Sequence, residues 1–130
     1  NKIIDKVADV INRYRATTLI EVNNQGDIFH EMLRDKCRNM IVPFTTTSKS
    51  KQVIIEDLAI AFEQSDIALQ DERWLVDELE NFTYIYNVNT RAVQYSAPIG
   101  LHDDGVISLA LAWHCRKTQQ NKGRYQVIRA

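Results

Sequence analysis

The 130-residue chain has little of what anchors or cross-links a protein: 2 Cys, 2 Pro, 4 Gly, and no apolar run near the roughly 18 residues of a membrane span. No secretory leader opens it, because Asn1-Lys2-Ile3-Ile4-Asp5 has no apolar h-region. No initiator Met opens it either, which points to a processed or excised piece. Cys37 and Cys115 are far apart and form no CxxC, so a disulfide frame is not expected and two reduced, buried or half-buried thiols are. The three His lack ligand spacing, which argues against zinc. No GxxxxGK[ST] loop occurs, which excludes a nucleotide site of that kind.

What is present suits one globular domain. At 45% hydrophobic and 25% charged, the composition excludes disorder, collagen and a coiled coil. A chain this long buries roughly two-thirds of its unfolded surface without cross-links. The net charge of −1 hides an asymmetry. Residues 1–104 hold 11 basic and 17 acidic residues, a net −6, whereas residues 105–130 hold five basic and no acidic ones, a net +5. Arg34, Lys36, Arg38, Lys49 and Lys51 form a second basic cluster, interrupted only by Asp35. Glu56 to Glu80 carries nine acids against Arg73 alone. Such a chain does not coat nucleic acid uniformly; a local basic groove with an acidic outer face fits better. The acidic stretch reads as the outer side of two helices, or as a surface for a basic partner.

Periodicity predicts alternating elements. Ile3, Ile4, Val7, Val10, Ile11 and Tyr14 recur at helical spacing over Lys2 to Arg15. Thr17 to Val22 is a short β-branched run, expected as a buried strand. After a turn at Asn23 to Gly26, with Asn24 as N-cap, Asp27 to Cys37 reads as a helix buried through Ile28, Phe29, Met32 and Leu33. Met40 to Phe44 is a second strand, closed by Pro43 and a Thr/Ser-rich loop. A helix over Lys51 to Gln64 faces inward through Ile54, Ile55, Leu58, Ala61 and Phe62. Ile67 to Leu69 is briefly extended, and Asp71 caps a helix to Asn81 that turns Trp74, Leu75 and Leu79 inward. Thr83 to Val88 and Ala92 to Ser96 flank Asn89-Thr90-Arg91 as a hairpin. Past Pro98 and Gly100, His102 to Arg116 forms a last helix with Val106, Leu109, Ala110 and Trp113 buried. Residues 117–130 are a basic tail, ending in either a strand at Tyr125 to Ile128 or a segment that touches DNA. This order predicts an α/β layer fold with a largely parallel sheet, whose function sits at the carboxyl ends of strands.

Two places meet that rule. Glu21 ends an otherwise apolar strand, either reaching solvent or a Lys, or ligating a metal. His102-Asp103-Asp104-Gly105 opens the last helix, where Asp serves equally as cap or as ligand. The small apolar run Val106 to Ala112 suits close packing on a sheet, which would bring the doublet to its rim near Glu21. Converging carboxylates bind Mg²⁺ or Mn²⁺, and two such ions about 4 Å apart support phosphodiester hydrolysis.

The run Leu101 to Ala112 resembles the closing motif of the nuclease domain of bacteriophage terminase large subunits. Thr17 to Gly26 is similar to that family's strand bearing its second acidic residue, and Thr46 to Lys49 and the pattern from Leu75 through Tyr95 to His102 fit as well. The resemblance covers residues 1–116 and leaves 117–130 as the basic tail. It implies an RNase H-like fold of the resolvase type: a mixed sheet with flanking helices, truncated at its N-terminal strands. It implies a metal-dependent endonuclease using Mg²⁺ or Mn²⁺, which cuts concatemeric double-stranded DNA during genome packaging in the bacterial host's cytoplasm. The implied partners are DNA, the portal and the small terminase subunit, with no membrane. Carried over, Glu21 and Asp104 are metal ligands with Asp103 as a second choice, and His102 orients a carboxylate or touches phosphate. By their charge, Lys49, Lys51 and Arg38 either line a DNA groove or form a solvated basic surface.

Two departures follow. Many family members carry a further Asp three residues after the doublet, where this chain has Ile107. The family's first catalytic Asp lies on a strand well before the Glu strand, whereas the residues before Glu21 read as a helix with Asp5 and Asp9 on its exposed side. These 130 residues are therefore expected to be inactive alone, with Thr17 to Val22 left as an edge that self-associates or is covered by Tyr125 to Ile128. Two other classes remain open: another RNase H-like nuclease such as a Holliday-junction resolvase relative, and a non-catalytic module that binds DNA or a packaging partner.

Overall fold

The structure is a computed structural model that describes residues 1–22, 27–87, 92–96 and 102–119, with backbone alone for 83–87 and 92–96. The expectations for Asn24, the loop Asn89 to Arg91, Pro98, Gly100 and Tyr125 to Ile128 lie outside the described residues. The chain divides into two compact units, 1–46 with 115–130, and 47–114.

In the first unit, helix α1 (Lys2–Tyr14) starts at Asn1, whose side chain accepts from the Ile3 N–H, and ends at Arg15 in the left-handed region. Strand β1 (Thr18–Val22) follows, then helix α2 (Ile28–Cys37), a 3₁₀ turn at Arg38–Met40 and strand β2 (Ile41–Thr45). Asp27 caps α2 by accepting from the Phe29 and His30 N–H groups. β1 and β2 pair in parallel, with Thr18 opposite Ile41 and Glu21 opposite Phe44. Ile4, Ala8 and Ile11 of α1, Leu33 and Cys37 of α2, and Ile41 of β2 form one buried cluster.

Three sequence expectations need correction here. Ile3, Val10 and Tyr14 are exposed, so α1 buries the narrower stripe Ile4–Ala8–Ile11. Ile28 and Met32 of α2 are exposed as well; burial falls on Leu33 and Cys37, a stripe rotated toward the helix's end. Pro43 lies inside β2 rather than closing it. Proline is confined to sheet edges, and among the described residues β2 pairs on one side only.

The second unit holds α3 (Ser48–Glu63), α4 (Arg73–Asn81), the antiparallel strands β3 (Thr83–Asn87) and β4 (Ala92–Ser96), and the first part of α5 (Asp104–Gln119). With one parallel and one antiparallel pair, the fold is mixed α/β. α3 starts three residues earlier than its apolar pattern suggests. Thr47 and Ser50 form a capping box that turns the Thr/Ser stretch into the helix start. Its inner face is Ile54, Ile55, Leu58 and Ala61 as expected, but Phe62 is exposed. Glu72 rather than Asp71 occupies the N-cap position of α4, and Trp74 is exposed rather than inward. On α5, Val106, Ala110 and Leu111 are buried, while Leu109 and Trp113 are only half-buried. Ile67 to Leu69 forms no strand. No helix among the described residues is long and apolar enough to cross a membrane.

Both thiols are free and buried. Burial pushes the Cys37 and Cys115 thiols above the ordinary cysteine value, so each stays a neutral thiol. The thiolate is the reactive form. Both are expected to react with a thiol reagent at pH 8 at least about tenfold slower in the folded chain than in urea. Equal rates in the two states would contradict this core.

Candidate active site

Glu21 occupies the carboxyl end of β1, where alternation turns its side chain to solvent. The Thr46 hydroxyl, just past the parallel β2, donates to Glu21 Oε1. The parallel register sets this pair together: Glu21 faces Phe44, and Thr46 follows two residues later at the same edge. The carboxylate is thus exposed and oriented.

The doublet sits in the second unit. Asp103 precedes α5, its carbonyl accepting from the Ile107 N–H at 3.0 Å, which is the first helical bond. Its carboxylate lies 3.9 Å from Lys51 Nζ, both side chains being half-buried. Asp104 is the first residue of α5 and is exposed. It lines a groove of about 660 Å³ together with His102, Trp74, Glu78, Gly105 and Ser108. Glu78 Oε2 accepts the Gly105 N–H at 2.7 Å.

The doublet and His102 thus share one helix start, as their sequence adjacency requires. Of the expected DNA-contacting residues, Lys49 is exposed on the first turn of α3, and Lys51 is turned to Asp103. Arg38 is exposed in the first unit with φ 52°, a backbone region that favours glycine. Lys36 of the same cluster pairs with Asp5 at 3.1 Å and holds that carboxyl below the ordinary aspartate value. Asp5 and Asp9 are exposed, as expected. Trp74 and Glu78 were not anticipated at the groove. The signal for them was the glycine behind the doublet, where an added Cβ would lie 2.5 Å from Glu78 Oε2 and 2.6 Å from Trp74 Cζ3.

Carboxylate oxygens supply hard donors, which suit Mg²⁺ or Mn²⁺ over softer ions. Asp103 and Asp104 fit such an ion by chemistry; the described residues hold no ready-made cluster of three ligands.

Comparison with known proteins bears on this arrangement. No protein-family model matches the chain. Over 88 residues it is 33% identical to the large terminase subunits of Thermus phage G20c and of Thermus virus P23-45, which is 68% of this chain and 18% of each relative. Among solved structures, the large terminase nuclease from thermophilic phage G20c superposes with TM-score 0.72 at 26% identity, over 87% of this chain and 60% of that one. The chain is a relative of the large terminase nuclease. Cobalt-bound and magnesium-bound forms of the G20c nuclease match too, with TM-scores of 0.70 and 0.67 at 27% and 28% identity, each over 85% of this chain. The mixed α/β fold is accordingly the RNase H-like fold of the terminase nuclease. The chain spans under a fifth of the length of the curated large terminase subunits it matches.

Proposed function

We propose that the chain is part of the metal-dependent endonuclease of a phage or prophage terminase large subunit, cutting concatemeric double-stranded DNA during genome packaging. One observation carries the reading. An acidic doublet opens α5 on a groove, in a chain whose fold follows, over 85% of its length, a nuclease solved with cobalt and with magnesium.

In this reading Asp104 and Glu21 are metal ligands, Asp103 is a further carboxylate ligand, and His102 orients a carboxylate or touches phosphate. Such oxygens would hold Mg²⁺ or Mn²⁺, which would supply Lewis-acid chemistry for a water and for the leaving oxygen. The chain's own groups prepare this chemistry. The Thr46 hydroxyl fixes one Glu21 oxygen and leaves the other available. Lys51 offsets part of the doublet's mutual repulsion. The start of α5 carries the positive end of a helix dipole, which offsets part of the charge of an approaching phosphate. Lys49 and Arg38 contact the DNA backbone, and Lys51 joins them once it releases Asp103; such contacts weaken with salt. The portal and the small terminase subunit are the partners, and the host cytoplasm is the place of action.

The test is supercoiled-plasmid nicking by the full-length protein, with Mg²⁺ or Mn²⁺ and with a chelator. Nicking is expected only with metal. Cleavage that persists undiminished in chelator would overturn the reading.

A further inference from the structure

We infer that Glu78 is a positioning residue for the acidic doublet: by holding the first turn of α5, it fixes the direction in which Asp104 meets the groove. The inference deepens the nuclease reading and rests on Asp104 being a metal ligand.

Glu78 departs from its surroundings. Seven of the nine acids from Glu56 to Glu80 are exposed, as an outer face should be; Asp57 on α3 and Glu78 on α4 are half-buried. Of these two, Glu78 turns its Oε2 to the Gly105 N–H and accepts from it at 2.7 Å. That N–H is one of the four at a helix start with no partner inside the helix. The Asp103 carboxylate lies beside Lys51, and α4 supplies the acceptor for Gly105 from 27 positions upstream. A carboxylate is the favoured acceptor at this end of the helix dipole.

Gly105 makes the approach possible. A methyl group there would meet Glu78 Oε2 at 2.5 Å, Trp74 Cζ3 at 2.6 Å and Leu75 Cδ1 at 3.0 Å. Trp74 and Glu78 lie one turn apart on α4 and so present a single face to the bare Cα. The doublet is thereby held twice: Asp103 through its side chain by Lys51, and Asp104 through the backbone of the next residue by Glu78. Glu78 lines the same groove as Asp104, but Oε2 is committed to the helix. Groups that orient metal ligands typically govern metal affinity or activity by 10–100-fold.

The experiment uses the full-length protein with E78A, E78Q and G105A. Three quantities are read: Mn²⁺ binding by calorimetry without DNA, the Mn²⁺ concentration for half-maximal plasmid nicking, and the thermal midpoint. E78A is expected to need about tenfold more Mn²⁺ and to bind it correspondingly more weakly. E78Q keeps an oxygen that accepts the Gly105 N–H, and should stay within about threefold of the parent. G105A displaces the Glu78 carboxylate and the Trp74 ring, so its midpoint should fall while it shares the metal dependence of E78A. Parental metal dependence in E78A overturns the inference. So does E78Q as deficient as E78A, because Glu78 would then be acting through its charge. Should E78A fail to fold, G105A with parental Mn²⁺ dependence overturns it. A parent protein indifferent to metal overturns both this inference and the nuclease reading, whereas variants that track a metal-dependent parent overturn this one alone.

Discussion

Replacing Asp104 with Ala in the full-length protein is expected to lower metal-dependent nicking about 10³-fold and leave the fold in place. Asp104 is exposed, and no hydrogen bond or ion pair is recorded for its carboxylate among the described residues. Its structural value is that of an acid in a first helical turn, about 0.3–1 kcal/mol. The true cap position belongs to Asp103, whose carbonyl accepts the first helical bond. Losing a ligand has a different scale. A catalytic metal contributes several kcal/mol of transition-state stabilisation, and each 1.4 kcal/mol is about tenfold in rate. The two consequences separate in one sample: single-turnover nicking falls by orders of magnitude while the urea midpoint moves little. Undiminished nicking by folded Asp104→Ala protein would remove Asp104 from the mechanism. A collapsed midpoint would show that the residue serves the fold instead.

How much of this was readable from sequence differs by element. The inner face of α3 was legible because Ile54, Ile55, Leu58 and Ala61 recur at helical spacing, although Val53, Ile60 and Phe62 of the same helix stay exposed. Its start was not, since the Thr47–Ser50 box resembles a loop until the helix behind it is known. On α1 and α2 the sequence offered more apolar residues than one face can bury. Periodicity does not say which of Ile3, Ile28 or Met32 the neighbouring element leaves out; partner geometry decides that. Trp74 misled for the same reason, because a large ring reads as core until its neighbour is a glycine groove. The acidic doublet was legible from its residue types beside His102 and Gly105. Glu78 was not, because its role depends on a contact across 27 positions within an acidic stretch that reads as solvated surface.

Leu33 and Ile28 turn that distinction into a measurement. Both are large aliphatic residues on α2, and the sequence assigned both to the core. Leu33 is 0% exposed among Ile4, Ala8, Ile11, Cys37 and Ile41, whereas Ile28 is 76% exposed. Leu33→Ala removes buried apolar surface and leaves a cavity that close-packed neighbours fill only in part, a cost of about 2–5 kcal/mol. At roughly 4 °C per kcal/mol for a domain near 100 residues, the unfolding midpoint should fall by about 10 °C or more. Ile28→Ala gives up little burial and gains slightly in helix propensity, so its change should stay within about 0.5 kcal/mol. Cys37 supplies an independent readout, since loosening the cluster around it exposes the thiol. Leu33→Ala should speed its modification by a thiol reagent, and Ile28→Ala should not. Equal losses for the two variants would mean that α2 buries the face its sequence pattern suggested, and that the rotated stripe through Leu33 and Cys37 is wrong.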